Sequence, residues 1–80
     1  MWSPTTWPYD ENAAKTITCY VRKMRVAADT PSRFAIRNVY VWRSNQTGAW
    51  RYTVEGELTG STDTENLEEA FKQAETRSQE

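Results

Sequence analysis

Ala49-Trp50-Arg51-Tyr52-Thr53-Val54-Glu55 and, further on, Thr62-Asp63-Thr64-Glu65-Asn66-Leu67-Glu68-Glu69-Ala70-Phe71 decide the fold class. In the first stretch Trp50, Tyr52, Val54 and then Leu58 alternate with Arg51, Thr53, Glu55 and Glu57, the period of a strand with one buried face. In the second, Leu67, Ala70, Phe71 and Ala74 recur at helical spacing, with Glu65, Glu68, Glu69, Lys72 and Glu75 off that face. Thr62-x-x-Glu65 has the form of a capping box, in which a hydroxyl and a carboxylate each satisfy a free backbone N–H. The pattern predicts a helix from about Asp63 to Arg77 with a frayed Ser78-Gln79-Glu80 end.

Upstream, Arg37-Asn38-Val39-Tyr40-Val41-Trp42-Arg43 is β-branched and aromatic, and Ser44-Asn45-Gln46-Thr47-Gly48 is a turn-forming loop of hairpin length. Residues 15–28 read as a strand through Thr16-Ile17-Thr18-Cys19-Tyr20-Val21. Ala13, Ile17, Tyr20, Val21, Met24 and Ala28 also fit a helical stripe. Asp29-Thr30-Pro31-Ser32 reads as a turn, or as a short helix capped by Thr30 with Pro31 at its first position. Pro4 and Pro8 rule out one long element across an arm carrying Trp2, Trp7 and Tyr9. Apolar rings on such an arm ordinarily fold back onto the core, the rival being a projecting arm that grips a partner. The expected fold is α+β, a single domain with an N-terminal arm (1–14), a sheet (15–60) and a helix (62–77). The sheet is a three-stranded antiparallel meander with the helix on one face. With Trp50, Tyr52 and Val54 towards the helix, Arg51 and Thr53 face away, and Arg37 and Arg43 are expected to join them beside Val39 and Val41.

Charge is unevenly placed. From Lys15 to Tyr52 basic residues outnumber acidic ones eight to one, and from Thr53 to Glu80 acidic residues outnumber basic ones eight to two, although the net charge is −1. Such a dipole favours charged partners; its plainer meaning is that the two halves neutralise one another within the fold. Two candidate binding sets follow. The basic set is Arg22, Lys23, Arg25, Arg37, Arg43 and Arg51, interleaved with Tyr20, Tyr40 and Trp42, residue types that neutralise phosphates and stack bases. The acidic set is Glu55, Glu57, Asp63, Glu65, Glu68 and Glu69, with Glu75 beyond it, which suits a basic groove or is simply a solvated face.

Catalytic chemistry is poorly supplied. The chain has no histidine and one cysteine, Cys19, so Ser/His/Asp and Cys/His sites, a zinc site and an intrachain disulfide are all excluded. Gly48, Gly56 and Gly60 form no phosphate-binding loop. Glu55 and Glu57 would share a strand face and, in principle, acid–base work; the plainer expectation is a solvated face. Cys19 is expected to be a small buried residue, unless Arg22 and Lys23 approach it and lower its pKa. Asn45-Gln46-Thr47 matches a glycosylation acceptor by chance. No apolar run approaches ~20 residues and no secretory leader opens the chain, so the expected location is the cytoplasm, with no membrane, cofactor, metal or small-molecule substrate.

A tiny chain without histidine and poor in cysteine, ending in the hairpin–helix unit Ala49 to Phe71, resembles the phage and prophage anti-CRISPR inhibitors. That family is diverse and shares no motif, so the resemblance implies a function but assigns no residue. It implies a phage protein acting in a bacterial cell, which binds a type I CRISPR surveillance complex and prevents target DNA binding. The host partner would be a protein or ribonucleoprotein complex. The hairpin from Val39 to Leu58 and the helix after it are also similar in outline to integrase arm-binding domains, which implies direct binding of DNA or RNA by the sheet. Glu55 and Glu57 beside Arg51 depart from that pattern, because carboxylates repel phosphates. The double-stranded RNA-binding domain also ends in a meander and helix, but its basic helix start is replaced here by Asp63, Glu65, Glu68 and Glu69.

Overall fold

The computed structural model describes residues 1–27, 34–44, 48–55 and 58–78. Its elements are β1 (Ser3–Thr5), α1 (Glu11–Ala14), β2 (Ile17–Ala27), β3 (Phe34–Ser44), β4 (Arg51–Val54), β5 (Leu58–Ser61) and α2 (Leu67–Ser78). The strands form one antiparallel sheet in the order β1-β2-β3-β4-β5, with α2 packed on one face. The α+β class and the C-terminal helix agree with the sequence. The sheet is wider than the expected three strands, because β1 and β5 extend the meander β2-β3-β4 at either side.

The extra strand at the far end arises inside the stretch read as a single strand. β4 stops at Val54, and Val54 and Leu58 are opposite one another across a hairpin rather than aligned along one strand. They share a parity for that reason. Glu55 therefore lies in the turn and not on a strand face, while Glu57 is outside the described residues. The readings of 29–32 and of 45–47 also fall outside them.

Residues 17–27 are strand and not helix. Register places Tyr20 beside Val41 and Arg22 beside Val39, and Val39 beside Val54, so these residues share the face under α2. Met24, Val26, Val39, Val41, Trp50, Val54, Ala70 and Ala74 form the buried core there, with Trp2, Tyr20, Tyr52, Leu67 and Phe71 packed around it. Val39 and Val41 are completely buried. This corrects the expected outer face: Arg37 and Arg43 do share their parity, but that parity is the helix side.

The arm folds back, as apolar rings on such an arm ordinarily do, and it straddles the edge of β2. Ser3, Pro4 and Thr5 pair with Val21, Tyr20 and Cys19. Trp2 stacks on Phe71 on the helix side, while Trp7 lies against Trp42 on the other. Asp10 then caps α1, its carboxylate accepting from the Asn12 and Ala13 amides at 2.9 and 3.3 Å. Cys19 ends up 3% exposed, on the face away from α2.

The helix begins later than its apparent capping box. Thr62 is buried, its hydroxyl donating to the Trp50 carbonyl at 2.7 Å and its amide to the same oxygen at 2.9 Å. The Trp50 amide donates to the Thr64 carbonyl and its indole to the Glu65 carbonyl, each at 3.0 Å. Residues 62–65 are thus held as an irregular, bent lead-in to α2. The working cap is Asn66, whose side chain accepts from the Glu69 amide at 3.1 Å. Glu68 and Glu69 in the first turn and Arg77 in the last suit the helix dipole. Ser78, expected to fray, is in the helix and buried. Among the described residues no helix is long and apolar enough to cross a membrane.

Candidate functional site

Strand parity divides the six basic candidates between the two sides of the sheet. Lys23, Arg25 and Arg51 face away from α2; Arg22, Arg37 and Arg43 have the parity of its side. The single basic face expected from the sequence is not formed. Arg22 is paired with Glu75 of α2, whose same oxygen accepts from the Trp2 indole at 3.1 Å. Arg37 is exposed and donates to the Ile36 carbonyl at 3.1 Å.

Arg43 and Arg51 are held differently, each against an indole. The Arg43 guanidinium carbon lies 4.4 Å from the centre of the Trp50 ring. That of Arg51 lies 5.7 Å from the centre of Trp42, its register partner on β3. Such stacking retains the guanidinium's charge and hydrogen-bonding edge while restricting its motion. Trp42 is itself fixed, its indole donating to the Thr53 hydroxyl at 2.9 Å.

The far side of the sheet carries an aromatic cluster that strand parity alone does not supply. Trp7 from the arm lies 4.5 Å from Trp42 and 6.3 Å from Tyr40, and Tyr9 lies 5.8 Å from Tyr40. Tyr9 remains 49% exposed, and Ile36 further along β3 is 58% exposed. The face away from the core therefore presents rings, an isoleucine and the cations Lys23, Arg25 and Arg51. Sequence reasoning grouped Tyr40 and Trp42 with the basic residues but left Trp7 and Tyr9 out; alternation of Tyr40 and Trp42 with Val39 and Val41 was the sign that β3 is covered on both sides.

The acidic candidates are equally divided. Asp63 pairs with Arg77 at 2.9 Å. The Glu55 carboxylate accepts from the Asn38 amide at 3.3 Å while its own amide donates to the Asn38 carbonyl, so it closes the β3–β4 ladder. Glu65, Glu68 and Glu69 are exposed and form no ion pair among the described residues. Glu57 lies outside those residues.

Cys19 is sealed rather than activated. Burial pushes its thiol up to about 11; of its two supposed activators, Arg22 is on the opposite face with Glu75, and Lys23 lies on the same face four residues along β2. Burial, and after it the neighbouring Tyr9, Glu55 and Cys19, likewise raises the Tyr40 phenol above its usual value. Among the described residues no three His, Cys, Asp or Glu side chains lie close enough to hold a metal. What the surface offers is charge, rings and hydrogen-bonding edges. No protein family, curated protein or solved structure matches the chain.

Proposed function

We propose that the chain is a small non-enzymatic binding protein that acts as a stoichiometric inhibitor of a nucleic-acid-handling complex in the bacterial cytoplasm. Its resemblance in character to the anti-CRISPR inhibitors names the candidate, a type I CRISPR surveillance complex prevented from binding target DNA. One observation supports binding by charge above all: the basic and acidic halves do not simply cancel. Arg22–Glu75 and Arg77–Asp63 are internal pairs, but Glu65, Glu68 and Glu69 stay exposed at the start of α2 while Lys23 and Arg51 stay exposed across the sheet, none of them ion-paired among the described residues. Separated charges of this kind raise encounter rates and select partners. Aromatic rings such as Tyr9 are the usual source of affinity. Co-purification with purified type I effector complexes tests the reading. A stable complex that no longer captures target DNA is expected; absence of a complex with every type I effector sinks it.

Direct nucleic-acid binding is the second reading, favoured by Lys23, Arg25 and Arg51 sharing a face with Tyr9, Tyr40 and Trp42. A gel shift against mixed DNA and RNA decides it, since phosphate contacts weaken steeply with salt and should be visible at ~50 mM.

A further inference from the structure

A cleft of about 410 Å³ opens where β3 and β4 run into their connecting loop, lined by Trp42, Arg43, Gly48, Ala49, Arg51 and Ser61 among others. Arg43 and Arg51 have opposite strand parity yet both line the cleft, which therefore wraps around the end of the sheet with one guanidinium held on each side. Neither makes a hydrogen bond or ion pair among the described residues; each is held only against its indole. None of the described residues lining the cleft is acidic. Two positive side chains thus border one concavity, and each leaves its planar fork of N–H donors unanswered among the described residues.

We propose that this cleft is a binding site for a phosphate group carried by a nucleotide unit. The chemistry follows from the walls. Guanidinium forks match the tetrahedral oxygens of phosphate with paired N–H···O bonds, which are strong because both partners are charged. Stacking on Trp50 and Trp42 has already restricted both side chains, so less entropy is lost on binding. The exposed Ser61 hydroxyl adds a neutral donor at the rim. The volume exceeds a bare phosphate and falls within the ~300–1,000 Å³ range of small-ligand sites, leaving room for the attached nucleoside. The phosphate comes either from a free nucleotide or from the backbone of a nucleic-acid strand.

The site stands apart from the inhibitor reading: protein that joins no effector complex but binds phosphate fails that reading alone. The test follows the indole N–H resonances of the full chain during titration with inorganic phosphate, thymidine monophosphate and a short oligothymidylate. Binding moves the Trp42 and Trp50 signals ahead of those of Trp2 and Trp7. Arg51→Gln lowers affinity by about tenfold or more, the scale of one charged hydrogen bond. Arg43→Lys keeps the charge and the fold but loses the fork, and weakens binding severalfold. Equal affinity for mononucleotide and oligonucleotide assigns the site to free nucleotides. Tighter oligonucleotide binding, with a salt slope reduced by about 0.7 in Arg51→Gln, assigns it to a strand. Signals unmoved at ~10 mM of all three probes, tenfold above a ~1 mM Kd, overturn the proposal. So does unchanged binding by both variants.

Discussion

The Trp2 indole lies flat on the Phe71 ring, with centroids 4.8 Å apart and planes 8° from parallel. The contact joins the arm before β1 to the middle of α2. Glu75, one turn further along α2, accepts from the same indole and from Arg22 of β2. The helix is therefore fastened to the sheet through the first residues of the chain.

Trp2→Ala should cost about 2–3 kcal/mol, below the ~3–5 kcal/mol of truncating a fully buried tryptophan, because Trp2 is only partly buried. A double-mutant cycle with Phe71→Ala, read by denaturant unfolding, should give a coupling of about 0.5–1.5 kcal/mol for the stacked pair. Additive single costs would show that the stacking contributes nothing beyond burial.

Asn66 and Thr62 should separate cleanly. Asn66→Ala removes the cap and should cost about 1 kcal/mol, with faster hydrogen exchange at the Glu69 amide, which loses its acceptor. Thr62→Val removes a buried hydroxyl bond to Trp50 and should cost about 1 kcal/mol as well. Glu69 exchange should keep its wild-type rank in that variant. If Thr62 were the cap, Thr62→Val would instead speed exchange at the Glu65 amide, and Asn66→Ala would leave Glu69 unchanged.

Gly60 faces Tyr52 across β4 and β5, and a Cβ there would stand 2.5 to 2.6 Å from the Tyr52 ring carbons and hydroxyl oxygen. Gly60→Ala should therefore cost about 1–3 kcal/mol through displacement of the ring. In a Tyr52→Ala background the same change should cost almost nothing. Thermal unfolding of the four proteins measures both.

Cys19 should make the fold weaker at high pH. Its thiol titrates at about 11 when folded against an ordinary 9.0. Between those values the unfolded chain has released a proton that the folded chain keeps, so stability falls as pH rises. The loss approaches about 2–3 kcal/mol, because each tenfold difference in proton affinity between the two states is worth ~1.36 kcal/mol. Unfolding free energies from pH 8 to 11 should show the decline, reduced in Cys19→Ala to the share contributed by Tyr40, whose phenol burial also raises. At pH 8 a thiol reagent should modify the unfolded chain and spare the folded one.

The period of α2 was legible because Leu67, Ala70, Phe71 and Ala74 all lie on the side of the helix that packs on the core. Its start was not, because Thr62-x-x-Glu65 and Asn66-x-x-Glu69 both have capping form. Which one works depends on Trp50, whose backbone takes the Thr62 hydroxyl from across the sheet. The side of Arg37 and Arg43 was illegible for a related reason: β3 is apolar at both parities, and only the arm's return over Trp42 and Tyr40 makes the second apolar row stable. β5 was hidden because Leu-Thr-Gly-Ser has no alternation, its Gly60 existing to admit a ring from the neighbouring strand. The Arg43–Arg51 cleft needs the β3–β4 end in three dimensions, since its two arginines lie on opposite parities.

The β2–β3 hairpin outruns its neighbours. β1 pairs only with Cys19 to Val21, and β4 only with Val39 to Trp42, so beyond those residues the two long strands pair with each other and have no strand on their outer edges among the described residues. Open edges of this sort invite another copy to add on and start a growing stack. With a net charge of −1, overall repulsion between copies is weak. Lys23, Arg25 and Arg37 stand on this overhang, and like charges brought together by edge pairing repel. Removing those cations would therefore reach beyond any partner, to how readily copies of the chain pair edge to edge when concentrated.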